Sequence, residues 1–362
     1  MKHSLERYAR QSRLPEVGDA GQRRLAASRV LCIGAGGLGC GALPYLAGAG
    51  IGRITIIDDD QVEISNLQRQ VLFSEADEGR PKAEAAAERL RALNGDIEIE
   101  AVTQRLDSGN IQALFEGHDV VIDGSDNFDT KFLAGDAAVK FGVPLVYGSV
   151  VGFEAQVTVF DPDQGPCLRC LFPSPPDTWV PNCAENGVLG PLVGMAASLQ
   201  ATQAIEILLG ETGNQALSPL IGRLWMLDAR DMDSRTLAIH KQPACPCCSR
   251  PPESIALPRA ESSAGLNIPA TEAAQLETVQ FIDIREPDEW AREHIPGARN
   301  LPLSQLLAGE TPTIKKDEVC VVYCAQGVRG ETAARLLAEQ GLDSVKNLSG
   351  GLAAWPGPRE QA

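Results

Sequence analysis

The sequence lacks three features: a surplus of positive charge, a long uninterrupted apolar run, and an apolar segment directly behind its first residues. Its 362 residues include 48 acidic and 32 basic side chains, which gives a formal net charge of −16. Because nucleic-acid phosphates are bound by surplus Lys and Arg, this balance argues against a nucleic-acid partner. No run approaches the roughly 20 apolar residues that span a bilayer, and no secretory signal is visible. We therefore expect a cytoplasmic protein without a membrane partner.

Length and patterning predict two α/β domains joined by a linker. Residues 251–267 are rich in proline, serine and glycine, as linkers are. Residues 1–250 are predicted to form a doubly wound, Rossmann-like domain with an antiparallel extension, and residues 268–362 a smaller α/β domain. The predicted strands are Arg29–Ile33, Arg53–Ile57, Glu98–Val102, Val120–Asp123, Pro144–Tyr147, Gln156–Phe160, Gln280–Ile284 and Val319–Tyr323.

A glycine-rich loop follows the first predicted strand. Gly34, Gly36 and Gly39 fit the pattern GxGxxG, and Asp58 ends the next strand. Such glycines let the backbone approach a phosphate chain at a helix N-terminus, and the carboxylate can bind a ribose hydroxyl. The motif indicates a nucleotide, but it leaves NAD(P), FAD and other nucleotides open.

Charged residues beyond the predicted strand ends separate these alternatives. Arg69 and Lys82 follow the second strand, and Asp126 follows a later one. Hydride transfer does not need several cations and an additional acid. Attack on an α-phosphate with loss of pyrophosphate does, because Lys and Arg neutralise developing phosphate charge while an Asp holds Mg²⁺. The set favours nucleotidyl transfer over an oxidoreductase.

Taken together, these motifs resemble the MoeB/ThiF family of ubiquitin-activating-enzyme-like adenylyltransferases over about residues 5–248. The resemblance implies that Asp58 binds the ATP ribose and that Arg69 and Lys82 contact phosphates. It also implies that Asp126 holds the Mg²⁺ ion needed for adenylation. The ATP-site residues predicted in this way are Gly34, Gly36, Gly37, Gly39, Asp58, Asp60, Ser65, Asn66, Leu67, Gln68, Arg69, Lys82, Asp126 and Asn127.

The same resemblance implies a homodimer in which Arg10 reaches the active site of the other subunit. The sequence departs mildly from the family pattern at Asp59, where an aromatic residue is common, and at Gly124 and Ser125. It also has Lys131 where arginine often stands. Because Lys cannot make the bidentate contact of Arg, that substitution alters one electrostatic contact.

Four of the ten cysteines form two Cys-x-x-Cys pairs, Cys167 with Cys170 and Cys245 with Cys248. In a long chain without a visible export signal, cysteines are thiols, metal ligands or catalysts rather than a disulfide framework. Four thiolates in two such pairs predict a closed, structural Zn²⁺ site. Cys247 adjoins the second pair, but the spacing from Cys245 to Cys248 is the one the motif requires.

Cys183 stands alone after a proline-rich loop. From the residues alone, it could simply pack against the apolar stretch that follows. In the MoeB/ThiF family, a cysteine at this position lies in the loop that crosses above the adenylation site. That resemblance implies that Cys183 attacks an acylated or persulfide intermediate.

Cys324 ends a predicted strand and opens a Cys-x-x-Gly-x-Arg turn that closes at Arg329 before a helix. Backbone N–H groups and the positive end of a helix stabilise a thiolate or a persulfide anion, and Arg329 adds a full charge. A buried turn without chemistry is the alternative for this motif alone. With the segments that begin at Asp283, Glu293 and Leu348, the region resembles a single-domain rhodanese. The resemblance implies that Cys324 carries a persulfide.

The two resemblances together imply adenylation of the C-terminal glycine of a ubiquitin-like sulfur-carrier protein ending in Gly-Gly. Sulfur from Cys324 then gives a thiocarboxylate, which Cys183 frees from an acyl-disulfide. The implied cofactors are ATP, Mg²⁺ and structural Zn²⁺, and the sulfur donor is thiosulfate or a cysteine desulfurase. Three alternatives remain open: activation of a conjugated modifier through a Cys183 thioester, an NAD(P)-dependent oxidoreductase, and a rhodanese part that only docks a partner.

Overall fold

The chain divides into two compact units, Met1–Arg259 and Ala260–Ala362. The structure, a computed structural model, describes residues 4–176, 187–210, 216–257, 266–276, 278–314, 318–342 and 344–361. Cys183 lies outside the described residues, so its predicted role in sulfur transfer stays a prediction.

The first unit is built on one eight-stranded sheet. Its strands are β1 (Arg29–Ile33), β2 (Arg53–Ile57), β3 (Glu98–Val102), β4 (Val120–Asp123), β5 (Leu145–Val151), β6 (Glu154–Phe160), β7 (Arg223–Asp228) and β8 (Asp233–Ala238). They lie in the order β3-β2-β1-β4-β5-β6-β7-β8. Strands β1 to β5 pair in parallel, and β5 to β8 pair in antiparallel fashion. The predicted Rossmann-like domain with an antiparallel extension is confirmed.

Strands β1 to β4 have the predicted bounds. Strands β1, β2 and β4 are short apolar runs in the interior of the parallel sheet, whereas β3 lies at the edge of the sheet and is only partly buried. Strands β5 and β6 are longer than predicted. They continue into a hairpin at Gly152, whose φ of +57° suits glycine. The predicted strands do not include β7 and β8. Strand β8 is exposed along its whole length and carries no apolar run.

The helices of the first unit cover both faces of the parallel strands. They are α1 (Ser4–Arg7), α2 (Gly18–Ala27), α3 (Gly37–Ala49), α4 (Lys82–Leu93), α5 (Ile111–Phe115), α6 (Phe128–Phe141), α7 (Leu168–Leu171) and α8 (Gly190–Gly210). Helices α3 and α8 pack closely, since a Cβ added at Gly41 would lie 2.5 Å from the Cβ of Ala197.

Helix α8 is, within the described ranges, the one helix long and apolar enough to cross a membrane. Counting consecutive apolar residues did not indicate this, because polar side chains interrupt the run. In the structure 61% of its most apolar stretch is buried inside the protein. Its Gln200 amide donates to the carbonyl of Asp123 at 2.8 Å and of Val146 at 3.1 Å. The helix therefore packs as a core element beside the sheet.

The second unit is a smaller α/β fold. Its strands are β9 (Asn267–Pro269), β10 (Val279–Asp283), β11 (Arg299–Asn300), β12 (Val319–Tyr323) and β13 (Val345–Ser349). They form one parallel sheet in the order β11-β10-β12-β13-β9. Its helices are α9 (Ala270–Ala273), α10 (Pro287–Arg292), α11 (Leu303–Leu307) and α12 (Val328–Glu339). The predicted second α/β domain is confirmed as a fold.

Part of the predicted linker packs on the first unit. Ile255 is buried in a cluster that includes Cys167, Cys170 and Cys245. The amine of Lys140 donates to the carbonyl of Ile255 at 2.6 Å. The limits of the linker, residues 251–267, stay a prediction.

Candidate functional site

The glycine loop between β1 and α3 is tightly packed against the sheet and open on its other side. Gly34 has a φ of +87°, and a Cβ added to it would lie 3.1 Å from the carbonyl oxygen of Gly124. A Cβ on Gly39 would lie 2.0 Å from the carbonyl oxygen of Gly34. A Cβ on Gly36 would meet its nearest heavy atom only at 3.9 Å. The loop is therefore open at Gly36, where a phosphate would approach the start of α3.

Asp58 connects the end of β2 to this loop. Its carboxylate accepts the backbone N–H of Ala35 at 2.6 Å and that of Asp60 at 2.8 Å. Burial raises the pKa of Asp58 to about 6, although the charge of Lys82 and the two backbone hydrogen bonds act in the opposite direction. An acid at the carboxyl end of this strand is placed to accept a ribose hydroxyl.

Lys82, the first residue of α4, brings a positive charge to the same region. Its Nζ lies 2.7 Å from Oδ2 of Asp60, and its side chain is only 7% exposed. Burial lowers the pKa of Lys82, but the charges of Asp60, Asp58 and Asp126 raise it by more. The amine is therefore protonated, and carboxylates from two strand ends face it.

Three consecutive acids also cluster here. Asp58, Asp59 and Asp60 each place a carboxylate oxygen within 4.8 Å of the others. Asp59 was noted in the sequence only as a departure from the family pattern. The signal for this cluster was the acidic run itself, directly after β2.

The predicted segment from Ser65 to Arg69 lies between the first residues of α3 and α8. A Cβ on Gly37 would meet Cγ of Arg69 at 3.5 Å, and a Cβ on Gly190 would meet the carbonyl oxygen of Gln68 at 2.3 Å. The guanidinium of Arg69 donates to the carbonyl of Ser65 at 3.3 Å. This contact holds the Arg69 side chain beside the glycine loop.

The same segment contains both buried and exposed residues. Asn66 is buried and donates to the hydroxyl of Ser65 at 3.2 Å, while Leu67 packs against the apolar core. Gln70, which the predicted set omits, is 3% exposed, and its Oε1 has no hydrogen-bond partner among the described residues. Its Nε2 is the atom nearest to a Cβ added at Gly36. An unpartnered buried polar atom beside the open loop fits a polar ligand such as a nucleotide.

A buried ion pair supports the loop after β4. The Nζ of Lys131 lies 2.8 Å from Oδ2 of Asp123 and 2.8 Å from the carbonyl oxygen of Gly148. Burial lowers the pKa of Lys131, but the charge of Asp123 and the ring of Tyr147 raise it by more. Lys131 thus pairs its charge with that of Asp123, at a position where arginine often stands in the family.

Three further predicted residues of the first unit are at the surface. Asp126 and Asn127 are exposed after β4, and Arg10 is exposed after α1. The side chain of Asn127 accepts the backbone N–H of Thr130 at 2.9 Å and so caps α6. Asp126 remains accessible to a ligand, whereas Asn127 also has the structural role of capping α6.

Four cysteines converge as the spacing predicts. The Sγ atom of Cys167 lies 3.5 Å from that of Cys245, and the Sγ atom of Cys170 lies 3.4 Å from that of Cys248. Within the first pair, the Sγ atoms of Cys167 and Cys170 are 3.9 Å apart. A tetrahedral zinc with Zn–S bonds of about 2.3 Å requires sulfur atoms about 3.8 Å apart. The thiol set therefore fits a closed zinc site without rearrangement.

The first half of this thiol cluster is anchored to α6. Arg169 forms two hydrogen bonds with Asp136, from Nε at 2.6 Å and from Nη2 at 2.8 Å. Its guanidinium carbon lies 4.9 Å from the centre of the Phe132 ring. Cys247 is also buried in this cluster. The cluster thus contains a fifth thiol that the ligand pattern does not need.

In the second unit, Cys324 lies at the turn between β12 and α12. Its side chain is buried, and the backbone N–H of Gly327 donates to its Sγ at 3.1 Å. Gly327 has a φ of +94°, and a Cβ there would lie 2.9 Å from the backbone nitrogen of Gly350. The backbone N–H of Leu352 donates to the carbonyl of Cys324 at 2.8 Å. The turn is therefore a rigid loop that directs a backbone N–H at the sulfur.

Arg329, in the first turn of α12, is ion-paired. Its two Nη atoms lie 2.7 and 2.8 Å from the carboxylate oxygens of Glu289 in α10. The sequence predicted a full positive charge at this position, but it gave no signal for Glu289 as its partner. The two residues are 40 positions apart in sequence, and only the packing of α10 beside α12 brings them together.

The sequence matches the ThiF family over residues 8–247 and the rhodanese-like domain over residues 270–357. It is 39% identical to the probable adenylyltransferase/sulfurtransferase MoeZ of Mycobacterium tuberculosis, over 98% of this chain and 93% of that protein. It is 45% identical to the sulfur carrier protein adenylyltransferase of Thermus thermophilus, over 73% of this chain and 98% of that protein.

Among solved structures, the fold is similar to that of Escherichia coli MccB crystallised with ATP. The TM-score is 0.58 at 23% identity, and the match covers 67% of this chain and 75% of that one. Both family resemblances inferred from the motifs are confirmed. The chain belongs to the ThiF family, carries a rhodanese-like domain behind it, and is an enzyme of the adenylyltransferase and sulfurtransferase class.

Proposed function

We propose that the protein uses MgATP to adenylate the C-terminal glycine of a ubiquitin-like sulfur-carrier protein and then converts the acyl-adenylate to a thiocarboxylate. The observation that carries this proposal is the convergence of the open loop at Gly36 with Asp58, Lys82 and Asp126. Gly36, Asp58 and Asp126 follow the carboxyl ends of β1, β2 and β4, where open α/β sheets bind ligands, and Lys82 is the first residue of α4. The relative from Thermus thermophilus is itself named for a sulfur carrier protein.

In the adenylation step, an oxygen of the carrier's terminal carboxylate attacks the α-phosphorus of ATP. The bond from that phosphorus to the bridging oxygen breaks, and pyrophosphate leaves with the electron pair. Asp58 accepts ribose hydroxyls, and the cations of Lys82 and Arg69 neutralise charge that develops on the phosphates. Asp126 would hold Mg²⁺, which supplies further neutralisation of phosphate charge.

Activation is required because a carboxylate oxygen is a poor leaving group, whereas AMP is a good one. In the sulfur-transfer step, the terminal sulfur of a Cys324 persulfide attacks the carbonyl carbon and AMP leaves, which gives an acyl-disulfide. The thiolate of Cys183 then attacks the Sγ atom of Cys324 and displaces the thiocarboxylate. The resulting disulfide between the two cysteines is returned to thiols by a cellular dithiol reductant.

The thiol cluster has a structural role in this proposal. Zinc held by Cys167, Cys170, Cys245 and Cys248 would have no open coordination position, and it would join two distant segments of the first unit. The function also includes a homodimer, in which exposed Arg10 contributes to the nucleotide site of a second copy. The sulfur donor is thiosulfate or the persulfide of a cysteine desulfurase.

The test is exchange of labelled pyrophosphate into ATP in the presence of a purified carrier ending in Gly-Gly. We expect exchange that depends on the carrier and is lost when its last glycine is removed. Exchange that is absent with every such carrier, or that proceeds equally without one, would contradict the proposal. A control without Mg²⁺ separates enzymatic exchange from background.

A further inference from the structure

The arginine of the sulfur-carrying loop is held by an acid from another helix. Arg329 and Glu289 form two parallel hydrogen bonds of 2.7 and 2.8 Å, and their side chains are 12% and 29% exposed. Bidentate pairs of this kind are directional and stronger than single contacts between charged groups. The carboxylate of Glu289 therefore fixes the position of the Arg329 guanidinium and balances its charge.

Glu289 is fixed from a second side. It is the third residue of α10, and its carboxylate also accepts the backbone N–H of Glu286 in a capping box. The hydrogen bond from Arg329 holds the pKa of Glu289 below its ordinary value. Glu289 is thus ionised at neutral pH and oriented towards Arg329 by its own helix.

A second arginine of this unit is neutralised in the same way. Arg285 and Asp283 are both buried, with Nη2 and Oδ2 2.6 Å apart, and Arg285 also donates to the carbonyl of Glu293. Neither arginine thus presents an unbalanced charge. The described donor that points at the Cys324 sulfur is the backbone N–H of Gly327.

This charge balance bears on which sulfur donor can approach Cys324. Thiosulfate is a dianion, and when it passes its outer sulfur to a thiolate it releases sulfite, another dianion. A persulfide R–S–S⁻ carries one charge and releases one thiolate, R–S⁻. Because repulsion from the Cys324 thiolate grows with the donor's charge, the dianion depends more strongly on an unbalanced cation nearby.

We propose that Glu289 determines donor specificity: by balancing Arg329, it makes the site favour a persulfide donor over thiosulfate. The inference rests on the proposed function, in which Cys324 carries the transferred sulfur. In the favoured reaction the Cys324 thiolate attacks the outer sulfur of R–S–S⁻, a new S–S bond forms at Cys324, and R–S⁻ leaves with the electron pair of the broken bond. Glu289 acts here as a positioning residue, through Arg329.

The test compares two donors on the full-length protein and its Glu289→Gln variant. Gln has the same shape and keeps one acceptor for Arg329, but it removes the negative charge. Asp288→Asn is the matched control, because it removes the same charge from the preceding residue, which is 73% exposed and lies 3.7 Å from Arg292. The donors are thiosulfate and 2-hydroxyethyl persulfide generated in situ, and intact-protein mass reports sulfur on Cys324 after subtraction of a Cys324→Ser background.

We expect the ratio of kcat/KM for thiosulfate to that for the persulfide to rise about fivefold or more in Glu289→Gln, through a lower KM for thiosulfate. The ratio in Asp288→Asn should stay within about twofold of the parent, since an exposed charge is screened by solvent and salt. An unchanged ratio in Glu289→Gln, or an equal rise in Asp288→Asn, would overturn the inference. If the parent protein loads Cys324 from neither donor, the proposed function fails as well.

Discussion

Lys131 and Asp123 form a buried ion pair, with Nζ and Oδ2 2.8 Å apart, at the point where β4 ends. The other carboxylate oxygen of Asp123 accepts the backbone N–H of Ser125 at 3.0 Å. The same lysine donates to the carbonyl of Gly148 in β5. These contacts fix the first residues of the loop that carries Asp126, and they come from three separate parts of the chain.

Replacing Lys131 with Met should therefore destabilise the fold strongly. The change leaves the carboxylate of Asp123 buried without a cation, which costs about 3–5 kcal/mol. Urea denaturation of the purified protein measures the loss. The double variant Lys131→Met with Asp123→Asn should lose less than the sum of the two single changes, because the uncompensated charge is gone. A loss below about 1 kcal/mol in Lys131→Met would show that the pair is not a stabilising contact.

Asp126→Ala should abolish adenylation while the fold is retained. Asp126 is exposed, so its removal leaves no cavity. Carrier-dependent pyrophosphate exchange should fall at least about 100-fold, as expected when a metal-holding group is lost. Asp129→Ala, an exposed acid three residues further on, is the control and should retain exchange. Near-parental exchange in Asp126→Ala would refute the proposed metal role.

The fold and the site differ in how far the sequence predicts them. The bounds of β1, β2 and β4 follow from local apolar runs, and the thiol cluster follows from two spacings. The pairing of Arg329 with Glu289 and of Lys131 with Asp123 depends on how helices pack beside strands, which no local pattern contains. Gln70 ends the polar segment that resembles the family, but its burial beside Gly36 appears only in three dimensions.

The zinc site gives a prediction that separates neighbouring cysteines. Cys248→Ser should lower bound zinc well below one ion per chain, because Cys248 completes the four-thiol set. Cys247→Ser should keep one ion, although Cys247 is buried in the same cluster, because four other thiols already fill a tetrahedral site. Elemental analysis of protein purified without chelator measures the ratio. Loss of zinc in Cys247→Ser with retention in Cys248→Ser would reverse the assignment.

Binding of ATP should weaken in mild acid through Asp58. Its pKa is raised from 3.8 to about 6 by burial, so the folded chain takes up a proton on this group as the pH falls through 6. The neutral acid accepts a ribose hydroxyl less well than the carboxylate does, and the KM for ATP should rise below about pH 6. In Asp58→Asn the KM should be higher at pH 8 and lack this dependence. An identical pH profile in both proteins would exclude Asp58 as its source.

The raised pKa of Asp58 also affects the free energy of unfolding. This effect grows as the pH falls, whereas ATP binding weakens as the pH falls. Between pH 4 and pH 6 the folded chain binds this proton more strongly than the unfolded chain, since 6 exceeds the ordinary value of 3.8. The contribution of Asp58 to the free energy of unfolding is therefore present below about pH 4 and is lost as the pH rises to about 6. The difference in unfolding free energy between the parent and Asp58→Asn should show this trend in urea titrations.

Exposed Arg10 offers a test of the homodimer. If each nucleotide site combines Asp126 of one subunit with Arg10 of the other, a mixed dimer of Arg10→Ala and Asp126→Ala contains one intact site. Random mixing of the two inactive variants, unfolded and refolded together or co-expressed, should restore about a quarter of parental exchange, because half of the dimers are mixed and each has one site. Continued inactivity of mixed dimers would contradict the shared site.

The proposed function requires that one chain both activates a carrier and supplies its sulfur. The most direct measurement is the intact mass of a purified carrier ending in Gly-Gly after incubation with the protein, MgATP, a persulfide donor and a dithiol reductant. We expect a carrier in which one oxygen of the terminal carboxylate is replaced by sulfur, with no such product from Asp126→Ala or Cys324→Ala. A carrier left unchanged by the parent protein, or converted equally well by Cys324→Ala, would contradict it.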